Sequence, residues 1–313
     1  MPLPFALDHI NLWLLRDGAG WVIVDAGFGT DATKNLWNEI IDERLGGRPV
    51  KRIVVTHLHP DHLGLAAWLA DRFNVDVWMT QTEFLMAHAM WAGVGGDIHK
   101  RLADLYRRHG LDEPRAAMIA GRAGAYRSAI PSLPPTLRRM VSDDTLLIDD
   151  RVWRVVIGRG HSPEHAALYC ESLGVMISGD MVLPKITTNV SVAPFEPEGD
   201  PLKLFLDSLK RFTALPADTL VLPSHGAVFR GLHARLEDLQ RHHEERFAII
   251  LAACAQPRSA ADLLDRLFKR EFDAHQLSFA MGEAIAHLNY LMHAGQLQRT
   301  RETGVYRFVR SAA

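Results

Sequence analysis

The chain reads Thr56-His57-Leu58-His59-Pro60-Asp61-His62 directly after the apolar run Ile53-Val54-Val55. Three histidines and one aspartate thus fall within positions 57–62. Both residue types are poor hydrophobic filler and costly to bury without partners, so folding needs alone do not account for the run. A strand that ends in such a cluster delivers its side chains to one edge of a sheet. That is where a metal site would be built.

With 313 residues, one large domain or two modest ones are expected. A hydrophobic content of 48% is ordinary for a globular protein and enough for a large core. The formal charge of −2 gives no reason to expect nucleic acid or a membrane surface as partner. Histidine is the outlier, at 16 residues. The two cysteines, Cys170 and Cys254, lack metal-ligand spacing and sit in apolar contexts. They read as two buried reduced thiols, in keeping with a cytoplasmic location. The first residues carry no basic, then apolar, leader pattern, so no secretory signal is expected. No apolar run reaches the roughly 18–20 residues of a membrane span.

Apolar runs at 10–15 and 21–25, joined by Arg16-Asp17-Gly18-Ala19-Gly20, predict a hairpin. A helix from Asp31 to about Gly46, a strand over 52–56, a helix over 63–73 and a strand over 75–79 follow in α/β order. Residues of about 82–140 break this alternation and read as a helical insertion, with a loop at 130–135. Strands are predicted at 145–148 and 152–157, then a hairpin of 166–170 and 175–178. A helix over 202–215, a strand over 219–222 and a long helix over 232–253 come next. Beyond Pro257, a helix over 260–270, a second through 277–291 and a hairpin of 297–301 with 305–309 give the order of a winged helix.

Four other residues repeat the strand-end pattern of the opening cluster. His161, Asp180 and His225 each follow an apolar strand and a small or turn residue, and Asp25 ends the strand Ile23-Val24. The donor count suits two metals: six terminal ligands, one bridging carboxylate and a hydroxide would fill two four-coordinate zinc spheres. The combined set His57-x-His59-x-Asp61-His62, His161, Asp180 and His225 resembles the metallo-β-lactamase-fold hydrolase superfamily over about residues 5–235. The resemblance implies an αββα sandwich with the metals at one edge between two sheets. It assigns His57, His59 and His161 to one metal, and Asp61, His62 and His225 to the other. Asp180 would bridge, and Asp25 would orient ligands from behind. It also implies two divalent ions, zinc foremost, with iron or manganese accepted by the same donors.

The branch is set by smaller features. Retention of Asp61 and His62, with His at 161, is similar to the glyoxalase II-like and nuclease-like branches. The Asp at 180, where the main zinc β-lactamases use Cys, argues against antibiotic hydrolysis. His165 falls outside the ligand set, because the first His of Gly160-His161-Ser162-Pro163-Glu164-His165 is the family's ligand. The tail resembles the winged helix of lactamase-like hydrolases, some of which are thioesterases and some of which cut single-stranded RNA. The domains expected are a catalytic domain of 1–254 and a winged-helix domain of 255–313.

The function expected is hydrolysis of an acyl thioester, ester or lactone by a bridging hydroxide, with Asp61 as the catalytic residue that orients it and accepts its proton. Alternatives are a phosphodiesterase or single-strand RNA endonuclease, and a metal-binding regulatory protein with little turnover. An iron-dependent oxidoreductase stands further off. The partner expected is a small acyl molecule, with neither nucleic acid nor membrane. Residues 241–313 hold ten Lys or Arg against eight Asp or Glu, weak for phosphate binding. Arg299, Arg301, Arg307 and Arg310 would form either a basic wing, a solvated face or a homodimer contact. Lys185 and Asn189 are candidates to meet substrate. Met86, Met90, Trp91 and Tyr126 would line an apolar pocket or belong to the core.

Overall fold

A computed structural model describes residues 1–269 and 271–312. In chain order it contains β1 (Trp13–Asp17), β2 (Gly20–Val24), α1 (Asp31–Glu43), β3 (Val50–Val54), α2 (Pro60–Leu63), α3 (Ala66–Phe73), β4 (Val77–Thr80) and α4 (Gln81–Trp91). Then come α5 (Ile98–Arg108), α6 (Glu113–Ala120), α7 (Ala125–Ala129), β5 (Arg138–Met140), β6 (Thr145–Ile148), β7 (Arg151–Gly158), β8 (His165–Cys170) and β9 (Val175–Gly179). The last elements are α8 (Pro201–Phe212), β10 (Leu220–Pro223), α9 (Leu232–Ala253), α10 (Leu264–Leu267), α11 (Ala274–His293), β11 (Leu297–Glu302) and β12 (Val305–Arg310).

The chain forms two compact units. The first comprises Met1–Ala92, Ala125–Thr188 and Arg211–Arg235, and the second Gly93–Gly124, Asn189–Lys210 and Leu236–Ala313. The expected α/β fold with two sheets is present. One sheet has the order β1-β2-β3-β4-β5, with β2 to β5 parallel, and the other β10-β9-β8-β7-β6, mostly antiparallel. Alternation along β2 explains the layering. Val22 and Val24 face a core shared with Leu146, Trp153, Val155, Leu168 and Ile177 of the second sheet. Ile23 faces the opposite way, into a core with Trp37 of α1, Leu69 of α3, Ala87 of α4 and Tyr126 of α7. Because β3 and β4 run parallel to β2, the turns that follow all three emerge on one edge.

Several expected elements shift for local reasons. The first strand starts at Trp13 rather than residue 10, because Ile10 N–H bonds to Met1 O and Asn11 N–H to Ser224 O, outside the ladder. The helix expected over 63–73 is broken at Gly64-Leu65. A Cβ on Gly64 would stand 2.4 Å from Pro60 O and 2.6 Å from Gly27 O and Gly29 N, so the turn after β2 presses directly on this backbone. Strand β5 was not anticipated; it is three residues long and, among the described residues, pairs with β4 alone. The helix expected over 260–270 is a 3-10 turn followed by the short α10, and Arg270 lies outside the described residues. Cys170 and Cys254 are both buried and free, as expected. No helix among the described residues is long and apolar enough to cross a membrane.

In the second unit, Tyr106 of α5 donates its hydroxyl proton to Ser278 O of α11 at 2.8 Å. Asn289 of α11 donates to the carbonyls of Pro197 and Gly199, at 3.0 and 2.9 Å. His109 stacks on Phe308 of β12, with ring centroids 5.9 Å apart. The middle helices α5 and α6 thus belong with the C-terminal helices and hairpin, while α4 and α7 stay with the sandwich.

Trp37 tests the first core. It is 1% exposed, and its indole N–H donates to Ala26 O at 2.8 Å, one residue beyond Asp25. Trp37→Ala is expected to cost about 3–5 kcal/mol, the usual range for a buried aromatic, read from the urea midpoint at an unchanged slope.

Candidate metal centre

The seven residues expected as ligands come together at the edge where β2, β3 and β4 end. They fall into two groups of donors: His57, His59, His161 and Asp180, and Asp61, His62 and His225. Within each group the donor atoms lie within 4.8 Å of one another. His161 Nε2 is 3.4 Å from Asp180 Oδ2, and His57 Nε2 is 2.9 Å from His59 Nδ1 and 3.1 Å from His161 Nε2. In the other group, Asp61 Oδ2 is 3.7 Å from His62 Nε2 and 3.5 Å from His225 Nε2. Asp180 Oδ1 stands 3.5 Å from both of these nitrogens. The two oxygens of Asp180 therefore face different groups.

These spacings fit cations. Two donors about 2.1 Å from one tetrahedral ion stand about 3.4 Å apart, the edge seen here. His62 Nε2 and Asp180 Oδ1 are buried without a hydrogen-bond partner, an arrangement that costs free energy unless something positive lies between them. His57 Nδ1–H donates to Thr56 Oγ1 at 3.0 Å, because that hydroxyl spends its own proton on Asp25. The Nε2 of His57 is then a lone pair turned toward two other ring nitrogens.

Asp25 aims the cluster, as the resemblance implied. It sits at φ +65° and accepts from Thr56 N at 2.8 Å, from Thr56 Oγ1, and from His62 Nδ1–H at 2.7 Å. His225 Nδ1–H donates to His9 O at 2.9 Å, which frees its Nε2 for the centre. Such partners behind the ligands fix tautomer and ring direction.

Charge divides the centre. Burial, then the neighbouring histidines, push His57 well below the ordinary imidazole range, and burial with His161 pushes His59 down to about 3. Burial works the same way on His62, yet Asp25, Asp61 and Asp180 together raise it well above that range. His225 is raised against its burial to about 10 by Asp180 and Asp61. Asp180 is held well below the usual carboxylate range by His62, His225 and His161, against its own burial.

His165 is not in either donor group. Its Nε2 accepts from the Asp180 N–H at 3.1 Å, and its ring fills the space beside Gly179, where a Cβ would stand 2.2 Å from that nitrogen. Gly179 sits at φ +52°, so both its conformation and this contact require glycine.

One supporting residue was missed in the sequence, Glu83, and another, Tyr126, was read there only as pocket or core. Glu83 of α4 is fully buried and accepts from Leu58 N at 3.0 Å, Ser162 Oγ at 2.6 Å and Glu164 N at 2.7 Å. Burial raises its pKa, and these three bonds counter the shift. Leu58 lies between His57 and His59, and Ser162 follows His161, so one carboxylate ties two ligand loops together. Tyr126 of α7 donates to Leu58 O at 2.9 Å and holds the same peptide from its other side. The signal for Glu83 was a charge four residues before buried Ala87 on one helix face.

Other candidates resolve differently. Met86, Met90 and Trp91 pack against the helix-side core around Tyr126. Asn189 Oδ1 accepts from Ser191 Oγ at 2.8 Å, and Lys185 is exposed, with its carbonyl bound by Arg235.

Glu83→Gln is expected to weaken metal affinity about 10- to 100-fold while leaving the thermal transition cooperative, read by competition with a chromogenic chelator. Protons should also leave as metal enters. In protein stripped by a chelator, His225 is protonated at pH 7, and a metal must displace that proton. Affinity should therefore rise with pH from 6 to 8. Calorimetric heats at pH 7 should differ between buffers of different ionisation enthalpy.

The model of the metallo-beta-lactamase superfamily matches residues 6–225, and that of the metallo-beta-lactamase-like C-terminal domain matches 247–311. A Bacillus subtilis protein described as "Probable metallo-hydrolase YqjP" is 27% identical over 307 residues, covering 93% of this chain and 90% of its own. The crystal structure of a beta-lactamase domain protein from Burkholderia ambifaria superposes with a TM-score of 0.93 at 49% identity, over 99% of this chain and 91% of that one. TTHA1623, solved in a di-iron-bound form, matches with a TM-score of 0.52 at 27% identity, over 75% of this chain and 98% of that one. With the family model covering most of the chain and the donor set gathered at the sheet edge, the protein belongs to the metallo-beta-lactamase superfamily.

Proposed function

We propose that the protein is a dinuclear, zinc-dependent hydrolase of acyl thioesters or other activated esters, lactones included. The observation that carries this reading is the division of Asp180 between two donor groups, its Oδ2 toward His161 and its Oδ1 toward His62 and His225. Two metal ions held there supply Lewis acidity, which brings the pKa of a water toward neutrality and polarises an acyl carbonyl.

The chain's own groups do the rest. His59 and Asp61 are half-buried, whereas His57, His62 and His225 are buried and the His161 side chain is only 6% exposed, so the centre opens to solvent on the side of the first two. Asp61 is held below the usual carboxylate range by His62 and His225, against its burial, and is ionised at neutral pH. It takes the proton that water releases on attacking the acyl carbon. When the tetrahedral adduct collapses, the carbon–sulfur bond breaks and this proton passes to the leaving thiolate. Asp25, Thr56 and the His9 carbonyl keep the imidazoles aimed throughout.

Zinc suits an all-nitrogen-and-carboxylate set, and iron is the alternative that the di-iron form of TTHA1623 recommends. The C-terminal segment is read as a winged-helix unit. Its arginines speak against a nucleic-acid role. Arg299 pairs with Glu198 at 2.9 Å and lies over the Tyr306 ring, and Arg307 pairs with Asp262 at 2.6 Å. Guanidinium groups spent on local carboxylates are not offered to phosphates. The reading therefore has a small acyl substrate in a cytoplasmic setting, without nucleic acid or membrane.

Metal-loaded protein should be assayed against acyl thioesters, lactones, bis(p-nitrophenyl) phosphate and single-stranded RNA. Thioester or lactone turnover is expected to dominate, and Asp61→Asn to cut it at least ~10²-fold with metal content kept. Faster cleavage of RNA or of the phosphodiester would place the nuclease reading first.

A further inference from the structure

Outside the metal centre, the first unit has a cleft of about 570 Å³ between the end of β4, β5, the end of β7 and the segment after α8. Its walls carry four arginines from three separate stretches: Arg139 of β5, Arg154 of β7 with Arg159 just past it, and Arg211 at the end of α8. Two acids, Asp143 and Glu164, line it as well. Arg154 Nη1 is 3.4 Å from Asp143 Oδ1, Asp143 Oδ2 accepts from Ser142 Oγ at 3.0 Å, and Arg159 Nη2 is 3.6 Å from Glu164 Oε1. Neither arginine contact is the short bidentate fork that guanidinium and carboxylate form at full strength. Arginine cannot shed its proton at neutral pH, so four guanidiniums against two carboxylates leave the cleft two charges positive. Like charge gathered in one cleft is unfavourable unless something anionic shares it.

We propose that this cleft binds a phosphate-bearing small molecule, its dianionic phosphoryl group held between Arg139, Arg154 and Arg211. A dianion matches the excess of two charges, and planar guanidiniums suit the oxygens of phosphate. The volume lies within the ~300–1,000 Å³ usual for small-molecule sites. The position is informative too. Glu164 of the cleft wall follows the ligand His161 by three residues; its N–H is bound by Glu83, and its carbonyl accepts from Thr80 Oγ1 at 2.9 Å. The cleft is thus built on the back of the loop that carries a metal ligand. Two sources supply such a group: a phosphorylated carrier arm of the acyl substrate, or a separate phosphorylated effector. Assignment to the carrier arm rests on the thioesterase reading, whereas the binding itself does not.

The test uses the metal-loaded protein and the R139Q/R211Q variant, both positions being exposed. Calorimetry with inorganic phosphate and with coenzyme A reads binding without turnover, and the metal centre is common to both proteins. At least ~10-fold weaker binding in the variant is expected, the loss for two charged hydrogen-bond donors, with wild-type binding falling as salt rises. Equal affinity in the two proteins, or no binding to either, would overturn the proposal. The sources separate in a second measurement, the ratio of kcat/KM on a coenzyme A thioester to that on the same acyl group carried by N-acetylcysteamine. A ratio at least ~10-fold lower in the variant assigns the cleft to the carrier arm. An unchanged ratio beside weakened phosphate binding assigns it to an effector.

Discussion

The centre depends on the buried carboxylate of Asp25. Taking such a group out of water is costly unless hydrogen bonds replace its hydration. Asp25 finds them in the Thr56 backbone and hydroxyl and in the His62 ring. That same set of bonds sets the rotation of His62 and, through Thr56, of His57. The residue can do this only from a left-handed turn at the end of β2, against the start of the ligand run. The turn is itself clamped, with Ala26 N–H bonded to His62 O and Leu65 N–H to Gly27 O. The parallel pairing of β2 with β3 brings the two strand ends together, so the metal centre is a consequence of sheet register before it is one of side-chain chemistry.

Much of this was legible in the sequence, because the donors sit where local pattern is strongest. His57, His59, Asp61 and His62 share one run, and His161, Asp180 and His225 each follow an apolar strand. What was not legible acts across sequence distance. Glu83 and Tyr126 reach the Leu58 peptide from helices 25 and 68 residues away, and helical pattern alone does not say what a helix will touch. Strand β5 could not be read from Arg138-Arg139-Met140, because only Met140 is buried and the ladder to β4 defines it. The break at Gly64 likewise comes from a tertiary contact with the turn after β2 rather than from glycine's helix propensity.

Two buried carboxylates, Glu83 and Asp25, hold the loops around the centre. Glu83 gathers three donors and Asp25 several more, and each replaces what would otherwise be a loop held by its own sequence. Loops fixed in this way keep a site rigid although its residues come from strand ends. His62 Nε2 and Asp180 Oδ1, buried without a hydrogen-bond partner, stand 3.5 Å apart within the donor set.

The second unit is assembled from three separated stretches of chain. Helices α5 and α6 leave the ribosome long before α11 and the β11–β12 hairpin against which they pack. From Ala120 to Arg310 the ribosome has 190 residues still to add, about 10–40 s at ~5–20 residues per second. For that interval Ala103, Leu105, Tyr106 and Ile119, all buried in the finished protein, have no native partners from the C-terminal segment. Synthesis order therefore leaves the middle helices without these partners for that interval, and a translational stall before residue 274 would lengthen it.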